Sequence, residues 1–218
     1  MLVFGSIVTL AIFLFVGWAV SAEMFQHRAW RKRVASGDIA VVAALIEEAL
    51  ATWRRTRPPR GTGAGLWAGV QAAQLVAVTN ESATLSTSAE GEFRTEDGRR
   101  VQVTSALDEA ISLAARLLDM MLYDVPNLRL HLVRVDLYAT FMEAEGTPVQ
   151  KPILTSSADR GTADSLAWDA LTAAEVLARF DTRYERGPGG QGSPIDLPAI
   201  EGSLPVQPYE AGAEKATF

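Results

Sequence analysis

Residues 2–20 read LVFGSIVTLAIFLFVGWAV, nineteen positions without a charge or a side-chain amide. A hydrocarbon layer about 30 Å thick needs roughly 20 apolar residues of helix, so this run is long enough to span one. Arg28, Arg31, Lys32 and Arg33 follow the run, whereas Met1 alone precedes it. Basic residues resist translocation, so the asymmetry predicts an outer N-terminus and a cytoplasmic C-terminal part. The competing expectation is a secretory signal cleaved near Val20-Ser21-Ala22, but a signal carries its positive charge before the apolar run rather than after it. Trp18, Phe25 and Trp30, with the four basic residues, are expected at the headgroup level, where aromatic rings and long cationic side chains sit comfortably.

Charge changes sign along the chain. Residues 23–60 carry eight basic and four acidic side chains, and residues 61–218 carry 12 basic and 22 acidic ones. A positive stem followed by an acidic domain suits an anionic surface and argues against general binding of nucleic acid. Cysteine is absent, which excludes disulfides, thiolate nucleophiles and cysteine-held zinc or iron–sulfur centres.

Periodicity predicts the elements. Ile39, Val42, Ile46, Ala49 and Trp53 recur at helical spacing after Ser36-Gly37-Asp38, so a helix runs to about Arg55 and stops at Pro58-Pro59. Gly61-Thr62-Gly63-Ala64-Gly65 reads as a linker, and the flanks of a nucleotide-binding loop are missing. Strands are expected over 70–78, 83–87, 92–95 and 100–103, the last two forming a hairpin about Asp97-Gly98 with Phe93, Val101 and Val103 on one side. Leu107, Ile111, Ala114, Leu118 and Leu122 predict a covering helix from 107 to 123, capped by Ser105. Residues 128–142 alternate as a strand whose apolar phase shifts, suggesting a bulge. Residues 148–155 are expected as an edge strand limited by Pro152. A short helix is expected over 162–168, and Thr172 with Glu175 forms a capping box opening another through Phe180.

The expected fold is α+β: a single N-terminal transmembrane helix (1–22), a basic juxtamembrane segment and amphipathic helix (23–60), a small mostly antiparallel sheet packed against helices in a soluble domain (61–186), and a Gly/Pro-rich tail (187–218). In the tail Ile195, Leu197, Ile200, Leu204 and Tyr209 recur between prolines. It reads as disordered, or as an extended arm whose apolar residues order against a partner. Tyr138 and Trp168 are candidate partner-binding residues on the domain.

Catalytic signatures are sparse. His27 and His131 are the only histidines, so a multi-histidine metal site is excluded. Glu90, Glu92, Glu96 and Asp97 cluster about a turn, and Asp119, Asp124 and Asp136 fall near the main helix and strand; Glu92 and Asp136 are the carboxylates a metal-assisted hydrolase would use. The expectation is a membrane-anchored, single-pass accessory or assembly subunit that contacts a larger membrane complex through its domain and tail, without catalytic residues, cofactor or bound metal. Its partners are lipids and integral membrane proteins, with homo-oligomerisation left open. The alternatives are a membrane-tethered hydrolase and a membrane-anchored sensory or ligand-binding domain.

Overall fold

A computed structural model of the chain describes residues 39–96, 98–126, 128–143, 146–187, 190–199 and 204–205. Helix α1 (Ile39–Arg55) buries the expected stripe, Val42, Leu45, Ile46, Leu50 and Trp53, and ends in Arg54 and Arg55 at its negative pole. Its stripe packs on β1 (Gln74–Val78) and on a helix the glycine-rich composition conceals, α2 (Ala64–Gln71). Leu66, Trp67 and Val70 make a helical rather than an extended apolar pattern, and Trp67 Nε1 donates to Thr56 O at 2.9 Å. The strand expected to start at 70 therefore starts at Gln74.

Among the described residues the main sheet has seven strands in the order β8-β7-β6-β5-β2-β1-β9. Its members are β1, β2 (Ser82–Ser88), β5 (Leu132–Met142), β6 (Pro148–Asp159), β7 (Asp181–Arg186), β8 (Gly192–Ser193) and β9 (Leu204–Pro205). Strands β2 and β5 run parallel and every other pair is antiparallel. The sheet is thus mixed, with one parallel pair in an otherwise antiparallel arrangement, and it is larger than the small sheet expected. A parallel pair needs a long crossover, and here it consists of the hairpin β3 (Glu92–Glu96) and β4 (Arg99–Thr104), then helix α3 (Ala106–Asp119) and a π-helical turn, Met120–Asp124. Ser105 accepts the Asp108 N–H as the cap of α3. Gly98 takes φ +74° in the hairpin turn, a conformation that glycine adopts without strain. The hairpin forms its own two-stranded sheet. Phe93 lies opposite Gln102 and Arg94 opposite Val101, so Phe93 and Val101 occupy opposite faces rather than one, since facing residues share a side and successive ones alternate.

Helices α2 and α3 pack on each other, and α3 lies over β5, β6 and the short helix α5 (Ala173–Leu177), which follows α4 (Arg160–Ala163). Val133, Val135, Leu137 and Ala139 of β5 face this layer and are buried with Leu107, Leu113, Leu117 and Leu118. The apolar phase change at 132–133 marks where a buried loop, Leu128 and Leu130, meets a strand. The bulge lies further on, at Leu137/Tyr138, where β6 inserts Ile153. Strand β6 is internal over 154–157, where it pairs with both β5 and β7. Over 148–153 it pairs with β5 alone among the described residues, the edge position expected for the stretch that holds Pro152.

Among the described residues no helix is long and apolar enough to cross a membrane. The longest, α1, has 17 residues, Glu47 and Glu48 interrupt its polar side, and its apolar stripe is spent on β1 and α2. The stretch 2–20 and the collar residues Trp18, Phe25, Arg28, Trp30, Arg31, Lys32 and Arg33 lie outside the described residues. The expected transmembrane element, single-pass localisation and lipid and integral-membrane partners are corrected to that extent: none of them has support among the described residues.

The approach of α2 to α3 is close enough to be tested. A Cβ on Gly69 would overlap the Leu113 side chain, which is fully buried and has nowhere to move. Gly69→Ala is expected to destabilise the fold by about 1–3 kcal/mol, despite the better helix propensity of alanine. Urea unfolding followed by tryptophan fluorescence would read the loss.

Candidate functional site

The face of the main sheet turned away from α3 is polar. Thr84 and Ser86 of β2, Arg134, Asp136 and Tyr138 of β5, and Thr155 and Ser157 of β6 alternate onto it by register. At its centre Arg134 Nε donates to Asp136 Oδ1 at 2.8 Å, and Thr155 Oγ1 donates to the same oxygen at 2.6 Å. The side chains of the pair are only 9% and 3% exposed, so water does not screen them.

Their cover is the segment after β8. Ile195 N–H donates to Pro152 O at 2.9 Å. Arg134 Nη1 donates to Pro198 O at 2.8 Å, and Leu204–Pro205 then pairs with Ala77 and Val78 of β1. Residues 194–199 thus lie over this face as a strap, and residues 204–205 add to the opposite edge of the sheet. Arg134 Nη2 is buried and has no hydrogen-bond partner among the described residues. The expected partner-binding residues Ile195, Leu197 and Leu204 belong to this strap, which engages the protein's own sheet; Ile200 and Tyr209 lie outside the described residues. Tyr138 is half-buried on the face the strap crosses, with its hydroxyl pKa pushed up by burial.

At the opposite edge a half-open groove of about 960 Å³ runs beside β7. Ala174, Leu177, Ala178 and Phe180 form its wall on the helix side, with Ile111 of α3 behind them. Pro194, Ile195 and Asp196 of the strap form the other wall. Thr182 and Tyr184 line it together with Arg183 and Glu185. Consecutive strand residues point to opposite faces, so a groove lined by both sets follows the outer edge of the strand. Strand β8 reaches only Glu185 and Arg186. Residues Asp181–Tyr184 pair with β6 on one side, and among the described residues no strand pairs with them on the other. Alternate N–H and C=O groups there point into the groove.

The edge is held rigidly from behind. Thr182 Oγ1 donates to Leu177 O at 2.7 Å, and the Ser156 hydroxyl, 2.8 Å away, is left to donate to Thr182. Thr172 and Glu175 form the capping box that fixes α5, and the Thr172 N–H holds the Glu175 carboxyl below its ordinary range. Arg186 reaches Asp108 at 3.0 Å, anchoring the end of β7 to the start of α3. The Ser105 hydroxyl, followed by Arg186, holds the Asp108 carboxyl low. Trp168 stands beside this assembly rather than in it, edge-on to Tyr123 at 5.9 Å and tilted against Phe180. It acts on the groove only by supporting Phe180.

The carboxylates do not converge. Asp136 is committed to Arg134 and Thr155, Glu92 is exposed on the separate hairpin, and Glu90 accepts from Thr140 Oγ1. Burial pushes the Asp119 carboxyl up despite Arg116 at 2.7 Å. Among the described residues no three His, Cys, Asp or Glu side chains are grouped to hold a metal ion. His131 is exposed, and Asp97 lies outside the described residues. Comparison with protein-family models, with curated proteins and with solved structures finds no match.

Two outcomes follow from these contacts. Arg134→Met leaves Asp136 buried without its counter-ion and the strap without its guanidinium anchor. A loss of about 3–5 kcal/mol is expected in urea unfolding, with faster hydrogen exchange at the Ile195 N–H. Asp108 has a depressed folded-state pKa, so its stabilisation is present above the unfolded value of 3.8 and is lost as pH falls through the folded value. Thermal melts of the wild type and Asp108→Asn are therefore expected to differ at neutral pH and to converge in acid.

Proposed function

We propose that this chain is a peptide-recognition domain that accepts an extended segment of a partner protein as an added strand on the outer edge of β7. The observation carrying this reading is the coincidence of an unpaired strand edge with a groove walled on both sides. Strand addition uses main-chain hydrogen bonds for affinity and flanking pockets for side-chain choice, and here α5 and the strap supply the flanks. Asp181, Arg183, Tyr184 and Glu185 are exposed, so an incoming strand displaces water rather than protein. The half-open shape suits a segment lying lengthwise better than an enclosed small molecule. The hydrogen bonds behind Thr182 and the capping box of α5 fix the edge in advance, which lowers the ordering cost of binding.

Peptides selected against the full-length protein from a random library, followed by backbone chemical-shift mapping, test the proposal. Perturbations are expected at Asp181–Tyr184 and along Ala174–Ala178, and Ala174→Trp, which fills the groove from an exposed helical position, is expected to weaken binding at least about tenfold while leaving the melting temperature unchanged. Selected peptides that map elsewhere, or that bind Ala174→Trp equally well, would overturn it.

A further inference from the structure

Resting on that reading of the β7 edge, we infer that the partner segment is basic, an extended stretch in which apolar side chains alternate with Lys or Arg. An added strand sends successive side chains to opposite sides of the sheet. One set falls on the helix side of the groove, against Leu177, Ala174 and Phe180, where apolar groups are desolvated. The other falls on the strap side, beside Glu185 and Asp196.

The cations around the groove are already engaged. Arg183 is 3.4 Å from Asp181, and Arg186 is 3.0 Å from Asp108. Arg179 faces the charge of Glu175 at the end of α5. Glu185 and Asp196 form no ion pair among the described residues, so the uncompensated charge on the strap side of the groove is negative. A lysine or arginine placed there gains two carboxylates, whereas a glutamate meets like charge. The whole chain carries a formal charge of −6, which steers a basic segment toward it at low salt.

The test uses three fluorescein-labelled heptapeptides, valine alternating with lysine, with serine or with glutamate, titrated into the full-length protein by fluorescence anisotropy. The lysine peptide is expected to bind about tenfold more tightly than the serine peptide, with the glutamate peptide weakest. In the double variant Glu185→Gln, Asp196→Asn, whose changes are at exposed positions, the lysine advantage is expected to fall to about twofold or less. Equal binding of the lysine and serine peptides, or a lysine preference that survives the double variant, overturns the basic assignment and leaves the edge reading standing. If none of the three peptides perturbs the amide resonances of Asp181–Tyr184, while library-selected peptides do, the assignment again falls alone. If neither kind of peptide perturbs them, both fall.

Discussion

Arg134 and Asp136 lie two residues apart on the same side of the strand at the middle of the sheet, and taking both out of water dictates what must lie over them. The desolvation cost is several kcal/mol per ion and is offset only where the remaining lone pairs and protons find partners. Thr155 supplies a donor to the carboxylate, and Pro198 supplies an acceptor to the guanidinium. The second partner comes from a segment remote in sequence, so the pair and the strap depend on each other. The strap covers the pair, and the pair gives the strap a charged anchor at Pro198.

The same arrangement explains why one edge is open. Strand β8 leaves β7 after Ser193 because Ile195 is drawn over the face of the sheet to Pro152, at the bulge made by Ile153. Gly192 permits the turn inward, since a Cβ there would stand 3.2 Å from Ile153 Cβ. Continuing alongside β7 would have closed the edge. Crossing the face instead covers the ion pair and exposes the strand. Asp181, Arg183 and Glu185 decorate that exposed edge with alternating charge, the arrangement that discourages indiscriminate edge-to-edge pairing.

Local pattern was legible where the chain alternates or repeats cleanly. The stripe from Ile39 to Trp53, the Ser105 cap, the Thr172–Glu175 box and the pairing of β3 with β4 stand as expected, though the hairpin's apolar residues do not share one face. Helix α2 was hidden because Gly61 and Gly63 precede it and Gly65 and Gly69 lie within it; packing of Trp67 and Val70 overrides their low propensity. Strand β7, DTRYER, has no apolar alternation because its groove side is exposed, so the binding edge lacks the signal by which half-buried strands are found. Pro152 marks the edge stretch of β6, but nothing local signals the bulge at Ile153 or the pairing of 154–157 with β7. The parallel pairing of β2 with β5 is a long-range fact with no local signature. After Gly187 the prolines and scattered apolar residues carry no periodicity, so the long-range hydrogen bonds of Ile195 with Pro152 and of Pro198 with Arg134 have no local signature either.

The strap also sets an order of events. Its contacts join residues far apart in sequence, Arg134 with Pro198 and Val78 with Leu204, and such closures come at an entropic cost before they are rewarded. Strands β5 and β6 and the Pro152 bulge must exist before anything can be laid across them. Synthesis runs from the N-terminus, so the strands that carry Arg134, Asp136 and Thr155 are made before Pro198, and the guanidinium gains that acceptor only from chain made later.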